Sequence, residues 1–386
     1  MFSHILASEY MDQGKIFDVL VKSIQINTVN PPGNEEPLAL YLAEQMRRIG
    51  LEVMVESLEK NRANVVGVLK GRGDKPALLY NGHLDTVPTG GVGWEYDPLS
   101  GQIVGDRVYG RGAADMKSGL VAMIMAAGIL KAAGVELAGD LIVAGTAGEE
   151  VDSVGAKRLL QSGVLNKVGA VIIGEPSNNN IYVAEKGALW LKITTYGKTA
   201  HGSMPEEGKN AILMMNTLIN ELQRYNFRFM EHPLLGKPSL NIGTISGGIK
   251  TNVVPDKCVL TVDIRTVPGM AHQEILRDIQ DILEEQGLEA EVEIINDRPS
   301  VDTPMNHELV KMGEKVASQT LGREVAIEGV SYYTDAAVLI PPTKLPFFIF
   351  GPGEARLAHQ PNEYIEISKL LEAISFYCNF AIEYLR

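Results

Sequence analysis

Two short stretches carry residues whose types and spacing suit a bound cation. Residues 81–88 read Asn-Gly-His-Leu-Asp-Thr-Val-Pro, and residues 110–117 read Gly-Arg-Gly-Ala-Ala-Asp-Met-Lys. The first ends an apolar run, Pro76–Tyr80, that reads as a buried strand. His83 and Asp85 stand two positions apart, so in extended chain both side chains leave on the same side. Asp115 stands just before Met116–Ala133, a helical run that is apolar nearly all round, where a carboxylate meets the positive end of a helix. An imidazole and carboxylates converging there suit a borderline cation such as zinc. On this stretch alone a packed core histidine and a helix-capping aspartate account for the residues equally well.

The same pattern recurs along the chain. Asp140–Gly145 is a short apolar strand running into Thr146-Ala-Gly-Glu149-Glu150, and Gly169–Gly174 is followed at once by Glu175-Pro176. Leu345–Gly351 is a fourth such strand, and His359 lies eight residues beyond it. In open α/β sheets the carboxyl ends of the strands are where ligands bind. Two adjacent acids at a buried edge repel unless something positive sits between them. The candidate ligands are His83, Asp115, Glu150, Glu175 and His359, with Asp85 and Glu149 left over. Five are too many for one tetrahedral ion but fit two ions sharing a carboxylate, roughly 3.5–4 Å apart.

The motifs in order are Gly82-His83-Leu84-Asp85-Thr86-Val87-Pro88, Gly110-Arg111-Gly112 with Asp115-Met116-Lys117, Glu149-Glu150, and Gly174-Glu175-Pro176. Gly197-Lys198-Thr199-Ala200-His201-Gly202-Ser203, Asn252-Val253-Val254-Pro255, Gly351-Pro352-Gly353 and Ala358-His359 follow. The chain thereby resembles the M20 metallopeptidases and amidohydrolases, the group of acetylornithine deacetylase, succinyl-diaminopimelate desuccinylase and carboxypeptidase G. The resemblance spans almost the whole sequence.

That resemblance implies two divalent metal ions, zinc foremost, with cobalt or manganese accepting nearly the same ligands. One ion would take His83 and Glu175, the other Glu150 and His359, with Asp115 bridging. Asp85 would accept a hydrogen bond from the ring nitrogen of His83 that faces away from the metal. Glu149 would be the general base, taking a proton from a metal-bridging water and passing it to the leaving amine. His201 would donate to the developing oxyanion, and Arg265 and Asn252 would hold the substrate. The peptide bond after Asp115 is expected to be cis, and the chain to pair as a homodimer.

These residues need elements to place them. Met11–Ile26 and Glu36–Ile49 read as helices, the second amphipathic and capped by Gly50. Val53–Val55 and Asn64–Leu69 read as strands, and strands alternate with helices to about residue 184. That rhythm is a doubly wound, mainly parallel α/β sheet. Between 185 and 297 it changes to strand Leu189–Thr195, helix Asn210–Tyr225, strands Ser239–Thr244 and Cys258–Ile264, helix His272–Gln286 and strand Glu291–Ile295. The order βαββαβ is the ferredoxin-like α+β unit. The expectation is a catalytic, metal-binding domain over 1–184 and 298–386, with an inserted lid and dimerisation domain over 185–297.

Composition narrows the partners. Across 386 residues the formal charge is −13 and the isoelectric point about 5.1, which argues against a nucleic-acid or anionic-membrane partner. Two cysteines make no disulfide framework in so long a chain. Glu9, Asp12 and Lys15 interrupt the early apolar residues, and Leu120–Leu130 is far short of a membrane span. A cytoplasmic enzyme is expected. Of seven histidines, His4, His232, His272 and His307 fall outside the motifs and read as surface or packing residues.

The expected reaction is hydrolysis of the amide bond in a small N-acyl amino acid, of deacetylase or desuccinylase type. A dipeptidase, an aminoacylase or a carboxypeptidase G-like peptidase is the alternative within the enzymes, and a catalytically silent binding protein the alternative outside them. Desuccinylases typically carry Arg-Arg-Gly where this chain has Glu185-Lys186-Gly187, and their Gly-Thr-Ser-Asp is only loosely matched by Ser331-Tyr332-Tyr333-Thr334-Asp335.

Overall fold

The computed structural model describes residues 10–386, so His4 and Glu9 lie outside the described residues. The chain divides into two compact units. The first runs to Val183 and resumes over Asp302–Gly329 and Thr334–Arg386; the second is Ala184–Val301 with Val330–Tyr333.

The first unit is built on a nine-stranded sheet. From one edge the strands are Glu52–Glu59, Arg62–Leu69, Leu141–Thr146, Ala77–His83, Val168–Ile173, Phe347–Ile349, Ile181–Glu185 and Val301–Asp302, with Ile327–Val330 paired to Ile181–Glu185. The expected α/β architecture is present, parallel through the middle four strands and antiparallel towards the edges. Those middle strands are buried along almost their whole length, which is why they read as continuous apolar runs instead of alternating ones.

Helices make the burial possible. Lys117–Ala132 packs on Ala77–His83 and against Ile367–Leu385, so it has almost no solvent face. The last helix adds aromatic contacts: Phe350 stacks on Phe376 with ring centroids 3.7 Å apart, and the Tyr80 hydroxyl donates to the Tyr377 carbonyl at 2.7 Å. Gly119 lets the first turn of Lys117–Ala132 close on the strand end that carries Glu175. A Cβ there would stand 2.1 Å from the Gly174 carbonyl oxygen. Element ends differ from the sequence reading by up to four residues: the helix expected over Met11–Ile26 is Gln13–Gln25, and the strand expected over Val53–Val55 lengthens to Glu52–Glu59.

The second unit is a four-stranded antiparallel sheet in the order Ser239–Gly247, Lys257–Thr266, Gly187–Tyr196, Ala290–Arg298. Alternation sets its two faces. Leu189, Leu191 and Ile193 meet Leu260, Val262 and Ile264 beneath helices Ala211–Arg224 and His272–Glu285. Asn210 caps the first of these helices through the Ile212 and Leu213 amides. Residues 330–333 join this unit, where Lys186 N–H donates to Val330 O at 3.0 Å and Tyr333 packs edge-on to Trp190.

Both cysteines are buried and unpaired. Among the described residues no helix is long and apolar enough to cross a membrane.

Candidate metal centre

Four strand ends of the first unit converge. His83 is the last residue of its strand, and Glu175 stands two residues beyond the strand Val168–Ile173. Glu149 and Glu150 follow Leu141–Thr146, and His359 comes from the loop beyond Phe347–Ile349. Asp115 immediately precedes Met116, which caps the long buried helix, and the Asp115–Met116 peptide bond is cis. His359 holds a left-handed backbone with φ of 62°, a conformation uncommon for a residue with a side chain.

These residues form two ligand groups, His83–Asp115–Glu175 and Asp115–Glu150–His359, each with its ligand atoms within 4.8 Å of one another. His83 Nε2 lies 3.0 Å from Asp115 Oδ1 and 3.5 Å from Glu175 Oε1. His359 Nε2 lies 3.4 Å from Asp115 Oδ2 and 3.1 Å from Glu150 Oε1. Ligands about 2.0–2.2 Å from a tetrahedral zinc ion are themselves roughly 3.3–3.6 Å apart. The observed separations lie at or just under that edge length, so the donor set fits two small divalent cations with the two oxygens of Asp115 divided between them.

The electrostatics point the same way. Burial, with Glu175 next, holds the Glu149 carboxyl well above the usual carboxylate range; burial does the same to Glu175 against the pull of His83. Asp115 goes the other way: despite its burial, His359 and His83 hold it below the usual range. His359 is pushed up to about 10 by Asp115 and Glu150, and His83 is raised against its burial by Glu175 and Asp115. Four carboxylates crowded around two imidazoles favour positive charge at their centre, which a pair of cations would supply.

Asp85 is arranged differently from the sequence expectation. The His83 Nδ1–H bond goes to the main-chain carbonyl of Asp85 at 3.0 Å, while the nearer Asp85 carboxylate oxygen is 3.6 Å away. That bond still leaves Nε2 as the ligand nitrogen. The carboxylate instead accepts the amides of Gly148, Glu149 and Glu150 at 3.0, 3.1 and 3.2 Å and the Asn30 side chain at 2.9 Å. Asp85 is therefore bound to the turn that carries the two glutamates. A hydrogen bond implied by resemblance did not distinguish the carboxylate of Asp85 from its own carbonyl.

Several partners of the site escaped the sequence reading. Glu363 is fully buried and takes the Ala114 and Asp115 amides on one oxygen and Arg111 on the other. Lys117 buries its ammonium on the Ser23 and Ile26 carbonyls, where burial pushes it down to about 7. Asp335 is buried 2.5 Å from the Thr146 hydroxyl. Glu363, in His359-Gln-Pro-Asn-Glu363, had one signal: an acid close behind a ligand.

The other three sequence candidates lie in the second unit. His201 and Asn252 are exposed neighbours, joined by the bridge His201–Val253 and by Gly202 N–H donating to Asn252 O at 2.9 Å. His201 Nδ1 lies 2.7 Å from the Ser203 hydroxyl. Arg265 is not beside them: it stands at the far end of Lys257–Thr266, ion-paired to Asp263, which also accepts the Trp190 indole N–H.

The family model described as Peptidase family M20/M25/M40 matches residues 79–383. An acetylornithine deacetylase of Photorhabdus laumondii is 31% identical, with 91% of each chain covered. A probable succinyl-diaminopimelate desuccinylase of Staphylococcus aureus is 29% identical over 95% of this chain and 97% of its own. Among solved structures, an M20 family metallo-carboxypeptidase from Sulfolobus solfataricus superposes with a TM-score of 0.83 at 21% identity, covering 97% of this chain and 99% of its own.

Proposed function

Because the chain belongs to peptidase family M20/M25/M40, and is thereby a metal-dependent hydrolase, we propose that it cleaves the amide bond of a small N-acyl amino acid. The observation that carries this reading is the pair of ligand groups sharing Asp115, with the buried Glu149 next in sequence to one of them. When bound, two such cations acidify a water and polarise the scissile carbonyl. His83, Asp115 and Glu175 would hold one, and Asp115, Glu150 and His359 the other.

Glu149 is the group that moves protons. Its carboxylate would accept one from the attacking water and deliver it to the departing amine nitrogen, the role of a general base turned general acid. Burial of the Glu149 carboxyl shields that proton from solvent. Asp85 holds the Glu149–Glu150 turn by its amides, so base and ligand are positioned together.

Zinc is the proposed native metal, since one imidazole and two carboxylates per site suit it; cobalt and manganese would substitute. A second copy of the chain is the proposed partner, paired through the second unit. Its edge strand Ser239–Gly247 is exposed along most of its length, with unpaired main-chain groups on the outer side. In that arrangement His201 and Asn252 serve the site of the partner, while Arg265 holds the carboxylate of the substrate.

N-acetyl substrates are proposed over N-succinyl ones. The acid Glu185 is fully buried where desuccinylases present a first arginine, leaving Lys186 as the only basic residue of that pair. The test is a metal assay joined to a panel of N-acetyl amino acids, N-succinyl amino acids and dipeptides. Two equivalents of metal and highest kcat/KM on an N-acetyl amino acid are expected. No turnover of any amide by protein holding two ions would overturn the reading, and a preference for dipeptides would move it to the peptidases.

A further inference from the structure

Asp115 is the one residue common to both ligand groups, and what holds it in place is not another ligand. Its own amide donates to Glu363 Oε1 at 3.0 Å, and the preceding Ala114 amide donates to the same oxygen at 2.8 Å. Glu363 Oε2 accepts from Arg111 Nη1 at 2.7 Å, and neither side chain is more than 2% exposed. Arg111 reaches on to the main chain on two further sides: Nη2 donates to Pro88 O at 3.2 Å and Nη1 to Gln360 O at 3.3 Å. One ion pair therefore ties together the segment after His83 and Asp85, the segment carrying Asp115, and the segment carrying His359.

We infer that Glu363, braced by Arg111, is a positioning residue that fixes the bridging carboxylate of Asp115 and so sets the affinity of both metal sites at once. The inference rests on the two-ion reading proposed above. Asp115 must present one oxygen to each group, with Oδ1 towards His83 and Oδ2 towards His359, which leaves little rotational freedom. A carboxylate that grips the two amides leading into Asp115 sets the direction of its Cα–Cβ bond. Glutamine at 363 keeps one oxygen for those amides but turns an NH2 group towards the guanidinium, so the brace is lost with little change in volume.

The experiment is cobalt(II) titration of metal-free protein, read by visible absorption and by calorimetry, on wild type, Glu363→Gln, Arg111→Met and the double variant. Loss of an outer partner of a metal ligand typically costs about 10–100-fold in affinity. Glu363→Gln is expected to weaken both cobalt sites together by that factor and to alter the ligand-field bands of both. Glu175→Ala, run alongside, should weaken one site far more than the other. The double variant should be no weaker than Glu363→Gln, because the two residues act as one brace.

A Glu363→Gln protein that keeps both affinities within about twofold of wild type, however much its melting temperature falls, overturns the inference. If Glu363→Gln does not fold, Arg111→Met is judged by the same criterion. Wild type that binds fewer than two cobalt ions would instead sink the two-ion reading itself.

Discussion

Asp85 Oδ1 accepts the main-chain N–H of Glu149 at 3.1 Å. A buried carboxylate at the end of one strand thereby holds the turn at the end of its neighbour, and the amides of Gly148 and Glu150 join the same anchor. The ring of His83 does not depend on that carboxylate, because its Nδ1 proton goes to the Asp85 carbonyl. The two functions of the His-Leu-Asp motif are thus carried by different atoms of one residue.

Substitution of Asp85 by alanine separates them. The carbonyl stays and His83 keeps its orientation, while three amides and Asn30 lose their acceptor. Unsatisfied buried donors cost about 1–3 kcal/mol each, less where water enters. We expect Asp85→Ala to lower kcat and to weaken the Glu150–His359 metal site, leaving the His83–Glu175 site near wild-type affinity. Metal titration decides it: a larger loss at the His83 site would return the carboxylate to the imidazole.

Glu149→Ala tests the base. Its side chain belongs to neither ligand group, so both ions and substrate should still bind. Positioned proton transfer is worth about 10²–10⁴ in rate, and kcat should fall by that order with KM little changed. Wild-type kcat in the variant would mean that another group moves the proton.

Most parts of this centre that were legible in the sequence share one property: apart from Asp115, which precedes a buried helix, each ligand stands at or beyond the end of a buried parallel strand. His83, Glu150 and Glu175 stand at or within a few residues of the ends of apolar runs and His359 in the loop after one, and a run leading to a metal-type ligand is visible without knowing what it packs against. Glu363, Asn30 and Asp335 gave no such signal. Glu363 meets Asp115 across 248 positions of chain, and its partners there are amides, which every residue possesses. The register of the mixed sheet was hidden for the same reason, since an antiparallel strand that is paired on both sides and buried along its length, such as Arg62–Leu69, reads like a parallel one.

Behind the glutamate turn lies an ion triad in which Arg62 and Glu35 are buried and Asp152 is half-exposed. Arg62 donates to Glu35 at 3.0 Å and to Asp152 at 2.7 Å, with Glu35 fully buried. It also crowds the turn itself: a Cβ on Gly148 would meet Arg62 Nη2 at 2.3 Å. Removing one partner of a buried pair costs about 3–5 kcal/mol, and the remaining Asp152 should keep Glu35→Ala near the low end. Urea unfolding should show that loss. A change below about 1 kcal/mol, the range of surface pairs, would mean that water replaces Glu35.

The proposed pairing of two chains makes the most exposed claim, that His201 acts in the partner's site. Two inactive variants, Glu149→Ala and His201→Ala, can be mixed under conditions that exchange subunits. In a mixed dimer the His201→Ala chain keeps its own Glu149 and borrows His201 from its partner, so one site is complete. The other site lacks both groups. Random exchange makes about half of the dimers mixed, and each mixed dimer has one working site of two, so activity should return to roughly a quarter of wild type under two-fold pairing. If His201 serves its own chain, every site lacks one group and mixing restores nothing. Exchange must be shown independently, by mass or by a fluorescent label on each variant. Proven exchange without recovery would rule out the shared site and assign the lost activity of His201→Ala to its own chain.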